Sequence, residues 1–121
     1  MTPTLSFPSR GVRVTKRSVG LFPALCVHQG LPRPVLEYVF APPRKYRADY
    51  AWPTATPPLM IEVEGGVWNR GKHGRGSGIV KDMAKQNVAV LAGWRMLRVT
   101  PQQLCTPQTL QMVREALNGG R

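Results

Sequence analysis

The feature that most constrains the fold is one short run, LMIEVE at positions 59–64. It is apolar except at Glu62 and Glu64, and it stands between a proline-rich stretch and a glycine-rich one. A continuous apolar run of this length, bounded by turn residues, is typical of a strand that is buried inside a sheet. The two glutamates predict that the end of this central strand is functional.

Helix and strand signals surround this run in a regular order. Residues Val19–Gln29 are mostly apolar and stop at Gly30, which predicts a short helix with Pro23 in its first turn. Val35–Ala41 and Tyr46–Trp52 alternate as two strands joined by a tight basic turn, so we expect a hairpin.

The second half of the chain continues the pattern. The spacing of apolar residues predicts a helix over Ile79–Ala92 that ends at Gly93, and RMLRVT predicts a fourth strand over Arg95–Thr100. Thr106 is the expected cap of a C-terminal helix that has Pro107 at its first position. The order α-β-β-β-α-β-α predicts an α/β fold with a mixed four-stranded sheet flanked by helices.

A chain of 121 residues is long enough for one domain with a real core. We expect that domain to cover residues 19–121, preceded by a basic and mobile arm over residues 1–18 that lies along a phosphate backbone or is simply a disordered tail. Cys26 and Cys105 form no CxxC pair and accompany no secretory signal, so a reducing cytoplasm and buried thiols are expected. A zinc site built from them with His28 and His73 matches no common spacing.

The charge balance indicates the partner. Seventeen Lys and Arg against six Asp and Glu give a formal net charge of +11. Most of the basic residues are arginines, whose planar guanidinium groups suit bidentate contacts with phosphate, so nucleic acid is the first expectation. No apolar run approaches the roughly 20 residues of a membrane-spanning helix, so no membrane partner is expected.

Four of the six acids fall between positions 37 and 64, namely Glu37, Asp49, Glu62 and Glu64. Pairing of the second and third strands would bring the Asp49 and Glu62 carboxylates together, with the Val63 carbonyl as a further oxygen ligand. Such a cluster predicts a divalent cation, Mg²⁺ or Mn²⁺. The plainer alternatives are a Glu37–Arg47 ion pair across the hairpin and an exposed strand-end charge at Glu64.

Several segments together resemble the PD-(D/E)XK nuclease superfamily: EYVF, RKYRADYAWP, IEVEGGVW, His73, GRGSG, KDMAKQN and GWRMLRVT. A more distant similarity is to the very-short-patch repair endonucleases. The resemblance covers about half the chain and implies a restriction-endonuclease-like core and a Mg²⁺-dependent nuclease, with Mn²⁺ able to substitute. Catalytic roles are expected for Glu37, Asp49, Glu62, Glu64, Lys85 and His73, and metal ligation for Asp49, Glu62, Val63 and Glu64.

One position departs from the superfamily pattern. The lysine expected two residues after Glu62 is Glu64 in this chain. We expect Lys85, on the following helix, to supply that charge, with Lys81 as the second choice. His73 is expected to act as a general base or leaving-group acid, or else only to contact phosphate.

The expected DNA contacts are basic residues around these acids: Arg44, Lys45, Arg47, Arg70, Lys72, Arg75 and Lys81. Nothing resembles a sequence-reading helix, so recognition of backbone shape is predicted. The chain is similar to small bacterial and phage proteins of the resembled superfamily, whose compact stand-alone members include dimeric Holliday junction resolvases. The expectation is therefore a dimeric, structure-selective endonuclease of four-way junctions. The alternatives are a mismatch-directed or restriction-like nicking enzyme and a non-catalytic basic DNA-binding protein.

Overall fold

Eight elements make up the computed structural model, which describes residues 16–65 and 75–119. In chain order they are α1 (Lys16–His28), β1 (Val35–Val39), β2 (Arg47–Trp52), β3 (Leu59–Val63), α2 (Arg75–Leu91), β4 (Arg95–Val99), α3 (Pro101–Leu104) and α4 (Pro107–Asn118). No helix in these two ranges is both long enough and apolar enough to cross a membrane.

The four strands form one mixed sheet in the order β1-β2-β3-β4. The first three strands pair antiparallel, and β3 pairs parallel with β4. Parallel neighbours need a crossover connection, and α2 lies in that connection. The predicted α/β class, the hairpin and the central position of β3 are confirmed.

Apolar side chains pack against both faces of the sheet. Leu59 and Ile61 of β3 face one core together with residues of α1 and α4, which we call the α1/α4 core. Met60 faces the other core with Ala89 of α2, which we call the α2 core. Strand side chains alternate between faces, so a strand with helices on both sides must be apolar at successive positions. This explains the unbroken apolar run that predicted β3.

The helix boundaries differ from those predicted. Helix α1 begins at Lys16, so Pro23 lies in its interior and the prediction of a first-turn proline is wrong. The helix also includes the last three positions assigned to the basic arm, and residues 1–15 lie outside the described ranges. Helix α2 begins four residues before Ile79, because the backbone is already helical at Gly76 and Gly78, which are poor helix formers without apolar periodicity.

A short helix, α3, was not predicted from the sequence. The side chain of Thr100 accepts a hydrogen bond from the Gln103 N–H, and the Gln103 side chain accepts one from the Thr100 N–H. This reciprocal capping box has a sequence signature, Thr-x-x-Gln with Pro101 at the first helical position. The predicted Thr106 cap of α4 is confirmed, since its side chain accepts a hydrogen bond from the Thr109 N–H.

Candidate functional site

Asp49 and Glu62 lie side by side where β2 and β3 separate. The paired positions of the two strands extend as far as Tyr50 and Ile61. Beyond them the Asp49 N–H donates to Oε2 of Glu62 at 3.1 Å, and the Val63 N–H donates to Oδ2 of Asp49 at 2.7 Å. Each carboxylate is therefore held by the backbone of the opposite strand, which fixes the position of both acids.

The regular pleat of β2 is interrupted at Asp49. Ala48 belongs to the α2 core and Tyr50 to the α1/α4 core, although residues two apart on a regular strand share a face. By the register of β1 with β2, Glu37 stands opposite Asp49. Glu37 has a φ of 50°, a left-handed conformation that is uncommon for a residue with a side chain. Unusual backbone of this kind often accompanies functional positions.

Lys85 completes the central group from the helix above the sheet. Its Nζ lies 2.5 Å from Oε1 of Glu62, and the two side chains are 24% and 12% exposed, respectively. Ala89, one turn further along α2, is fully buried in the α2 core. Because residues four apart share a helix face, packing at Ala89 directs Lys85 toward the sheet.

Burial changes the chemistry of Glu62. It raises the pKa of the Glu62 carboxyl above its ordinary value, while the hydrogen bond and charge of Lys85 oppose that rise. The carboxylate is thus only partly compensated by its lysine. A second cation near Oε2 would favour the ionised form further.

Glu64 lies just past the end of β3 and contacts a different cation. Its Oε2 is 2.6 Å from Nη2 of Arg98, and its N–H donates to the Val99 carbonyl at 2.8 Å. Nη1 of the same arginine donates to Oε1 of Gln86 on α2 at 2.8 Å. The structure therefore places Glu64 in an ion pair, and its side chain is 19% exposed.

Glu37 and Val63 make simpler contacts. Oε1 of Glu37 lies 3.8 Å from Nη1 of Arg47, and both side chains are more than half exposed. This geometry is that of the plain cross-hairpin ion pair, which solvent screens strongly. The Val63 carbonyl accepts a hydrogen bond from the Gly65 N–H at 3.0 Å and keeps a second lone pair.

The predicted basic residues are only partly within the described ranges. Arg44 and Lys45 are exposed in the β1–β2 turn, and Lys81 is exposed one turn before Lys85 on α2. This turn, the carboxyl ends of β3 and β4, and the first half of α2 all lie at the same end of the sheet. Arg70, Lys72 and His73 lie outside the described residues, as does the side chain of Arg75, the first residue of α2.

Among the residues that the structure describes, no three His, Cys, Asp or Glu side chains are grouped so as to hold a metal. The expected third acid of the cluster, Glu64, is instead paired with Arg98. The groups that could contribute oxygen ligands to a metal here are the Asp49 and Glu62 carboxylates and the Val63 carbonyl, and Mg²⁺ often uses one or two protein carboxylates together with several waters. Cys26 and Cys105 are free thiols, and Cys26 is fully buried in the α1/α4 core.

Sequence reasoning missed Arg98 and Gln86. A signal for the arginine was present, because Arg98 lies on a strand that pairs in parallel with the strand that carries both glutamates. Its pairing with Glu64 depends on the register of β3 and β4, in which Glu62 stands beside Arg98. Comparison with known proteins found no matching family model, no matching curated protein and no matching solved structure.

Proposed function

We propose that this protein is a metal-dependent DNA endonuclease with a restriction-endonuclease-like core. The observation that carries the proposal is the convergence of Asp49, Glu62 and Lys85, with a hydrogen bond of 3.1 Å and a contact of 2.5 Å joining the group. Two acids from adjacent strands could hold a metal that polarises a phosphodiester, and a neighbouring lysine could add positive charge at the same place. The mixed sheet with flanking helices supports the same assignment.

Asp49 and Glu62 would hold Mg²⁺ or Mn²⁺, with the Val63 carbonyl as a further ligand. The ion, when bound, neutralises charge that develops on the phosphate and on the leaving oxygen. The residues of the chain fix the geometry: the Val63 N–H orients Asp49, and the Asp49 N–H orients Glu62. Because both contacts come from backbone groups, the two carboxylates stay in place when substrate arrives.

Lys85 would orient the attacking water or neutralise the scissile phosphate. Its ammonium group lies in contact with Glu62, so it reaches the same space as the expected ion. A flexible lysine can serve from a helix as well as from a strand, since the role depends on the position of the charge. This supports Lys85 as the substitute for the lysine that is replaced by Glu64.

DNA is the proposed substrate because the chain carries a formal charge of +11. Arg44, Lys45, Arg47 and Lys81 lie at the end of the sheet where the acids lie, and they would contact backbone phosphates on either side of the cleavage point. We propose branched DNA as the preferred form, with the four-way junction first, and a homodimer that cuts two strands symmetrically. No base-reading element is assigned.

The test is single-turnover cleavage with Mg²⁺ of labelled four-way junction, flap, mismatched duplex and linear duplex. The wild-type protein is expected to cut the junction most rapidly. Asp49→Asn, Glu62→Gln and Lys85→Met should each lower the rate constant by at least about 100-fold. The two acid variants should bind uncut junction as tightly as the wild-type protein or more tightly, because each substitution removes a negative charge that faces phosphate.

The matched control is Glu115→Gln, which removes one carboxylate from α4 on the other side of the sheet. It should cleave at the wild-type rate. Equal cutting of linear duplex and junction would remove the structure-selective part of the proposal. Binding of DNA without cleavage by the wild-type protein, in either Mg²⁺ or Mn²⁺, would instead identify a non-catalytic DNA-binding protein.

A further inference from the structure

Two acids and two bases lie close together on the α2 side of the sheet, and an ion pair joins each acid to one of the bases. Glu62 contacts Lys85 at 2.5 Å, and Glu64 contacts Arg98 at 2.6 Å. The side chains of Glu62, Glu64 and Lys85 are at most 24% exposed, so their charges are screened less than surface charges, whereas Arg98 lies nearer the surface with 35% of its side chain exposed.

Arg98 contacts both the end of β3 and helix α2. Beside it in the sheet is Glu62, and its guanidinium bonds to Glu64, two residues further along. Its other terminal nitrogen donates to Gln86, the residue that follows Lys85 on α2. One planar side chain therefore connects the end of β3 to the turn of α2 that carries the lysine.

We propose that Arg98 is a positioning residue that reserves Lys85 for Glu62. By pairing with Glu64, it keeps this second carboxylate from competing with Glu62 for Lys85. The bond to Gln86 keeps the guanidinium in place beside Glu64. The role of Lys85 in cleavage rests on the proposed function, whereas the pairing of the four charges does not.

The substitution of choice is Arg98→Met, which removes the charge and keeps much of the apolar stem. Lys85 should then be shared between two carboxylates, and the single-turnover rate constant should fall by about 100-fold while the affinity for uncut junction changes much less. Arg98→Lys should restore little, since a single ammonium cannot reproduce the two-directional contacts of a guanidinium.

The decisive variant is the double substitution Glu64→Gln with Arg98→Met. It removes the competing carboxylate together with its partner, so it should recover most of the activity that Arg98→Met loses. A rate that stays as low in the double variant as in Arg98→Met, with the fold retained, would overturn the proposal and indicate that Arg98 contacts DNA directly.

A second readout does not depend on cleavage. The five lysines can be dimethylated with ¹³C and followed by NMR, with Lys85→Arg used to assign the resonance of Lys85. The resonance should move in Arg98→Met and return toward its wild-type position in the double variant. An unchanged Lys85 resonance in Arg98→Met would refute the positioning role, whether or not the protein cleaves DNA. If the resonance shifts as expected but the wild-type protein cleaves no DNA, only the proposed function is refuted.

Discussion

Burial and charge pairing act in opposite directions on the Glu62 carboxyl. Its side chain is 12% exposed, and burial raises its pKa even though Lys85 is in contact with it. A carboxyl whose pKa is higher in the folded state than in the unfolded state favours folding in its protonated form. Ionisation of Glu62 therefore lowers the stability of the protein as the pH rises through this raised pKa.

This sign gives a prediction for Glu62→Gln in the presence of a chelator. Glutamine resembles the protonated acid and does not ionise, so the variant should gain stability relative to the wild-type protein as the pH rises from about 4 to about 8. Urea unfolding at several pH values measures the difference. If the difference in the free energy of unfolding stays constant with pH, or changes in favour of the wild-type protein as the pH rises, the pKa of Glu62 is not raised by folding.

At the residue scale, the sequence was most informative where candidate site residues lie on strands that apolar patterns predict. The proximity of Asp49 and Glu62 could be predicted from the expected pairing of the second and third strands. The Glu64–Arg98 ion pair could not be predicted in this way. Helix α2 separates the two residues along the chain, and their contact depends on the parallel register of β3 and β4. The left-handed backbone of Glu37 likewise has no sequence signal, since glycine or asparagine is the usual residue there.

At the scale of elements, the stability of helix α4 depends on Thr106, the capping residue just before the helix. Thr106 accepts a hydrogen bond from the Thr109 N–H, and its hydroxyl donates to the Gln103 carbonyl at 2.7 Å. Thr106→Ala should lower the free energy of unfolding by about 1 kcal/mol, whereas Thr106→Ser keeps the capping oxygen and should lose much less. Equal loss in both variants, measured by urea unfolding, would show that the threonine methyl group and not the cap is responsible.

Element boundaries were predicted less well than element types. All four strands and the three longer helices were recognised, because apolar periodicity identifies the part of an element that packs. The first turns of α1 and α2 were missed, since those residues carry no apolar pattern. Helix α3 was missed because its four residues are too few for periodicity, although its capping box was legible.

At the scale of the whole molecule, the cysteines report on global unfolding. Cys26 is fully buried, and burial raises its pKa to about 12, while burial also raises the pKa of Cys105. Thiolates are the reactive species, so Cys26 should react with Ellman's reagent only when the α1/α4 core opens. Its labelling rate should follow the population of unfolded protein in urea. The Cys105→Ser variant isolates the signal of Cys26. Rapid labelling of Cys26 in this variant under native conditions would contradict its burial in the α1/α4 core.

The excess of basic residues makes a further prediction for the whole protein. The logarithm of the affinity for junction DNA should fall linearly with the logarithm of the salt concentration, by about 0.9 for each phosphate contacted on duplex DNA. The double variant Arg44→Ala with Lys45→Ala should reduce this slope by about 2 if both residues contact phosphate. Fluorescence anisotropy at several salt concentrations gives the slope, and a salt-independent affinity would exclude the proposed backbone contacts.

We propose that Asp49 and Glu62 share one divalent cation, and paramagnetic broadening by Mn²⁺ tests this most directly. In ¹H–¹⁵N NMR spectra, the amide resonances of Asp49, Glu62 and Val63 should broaden first as Mn²⁺ is added. Glu62→Gln should abolish this localised effect, while Glu115→Gln should leave it unchanged. Broadening that is centred elsewhere, or that persists undiminished in Glu62→Gln, would contradict the account.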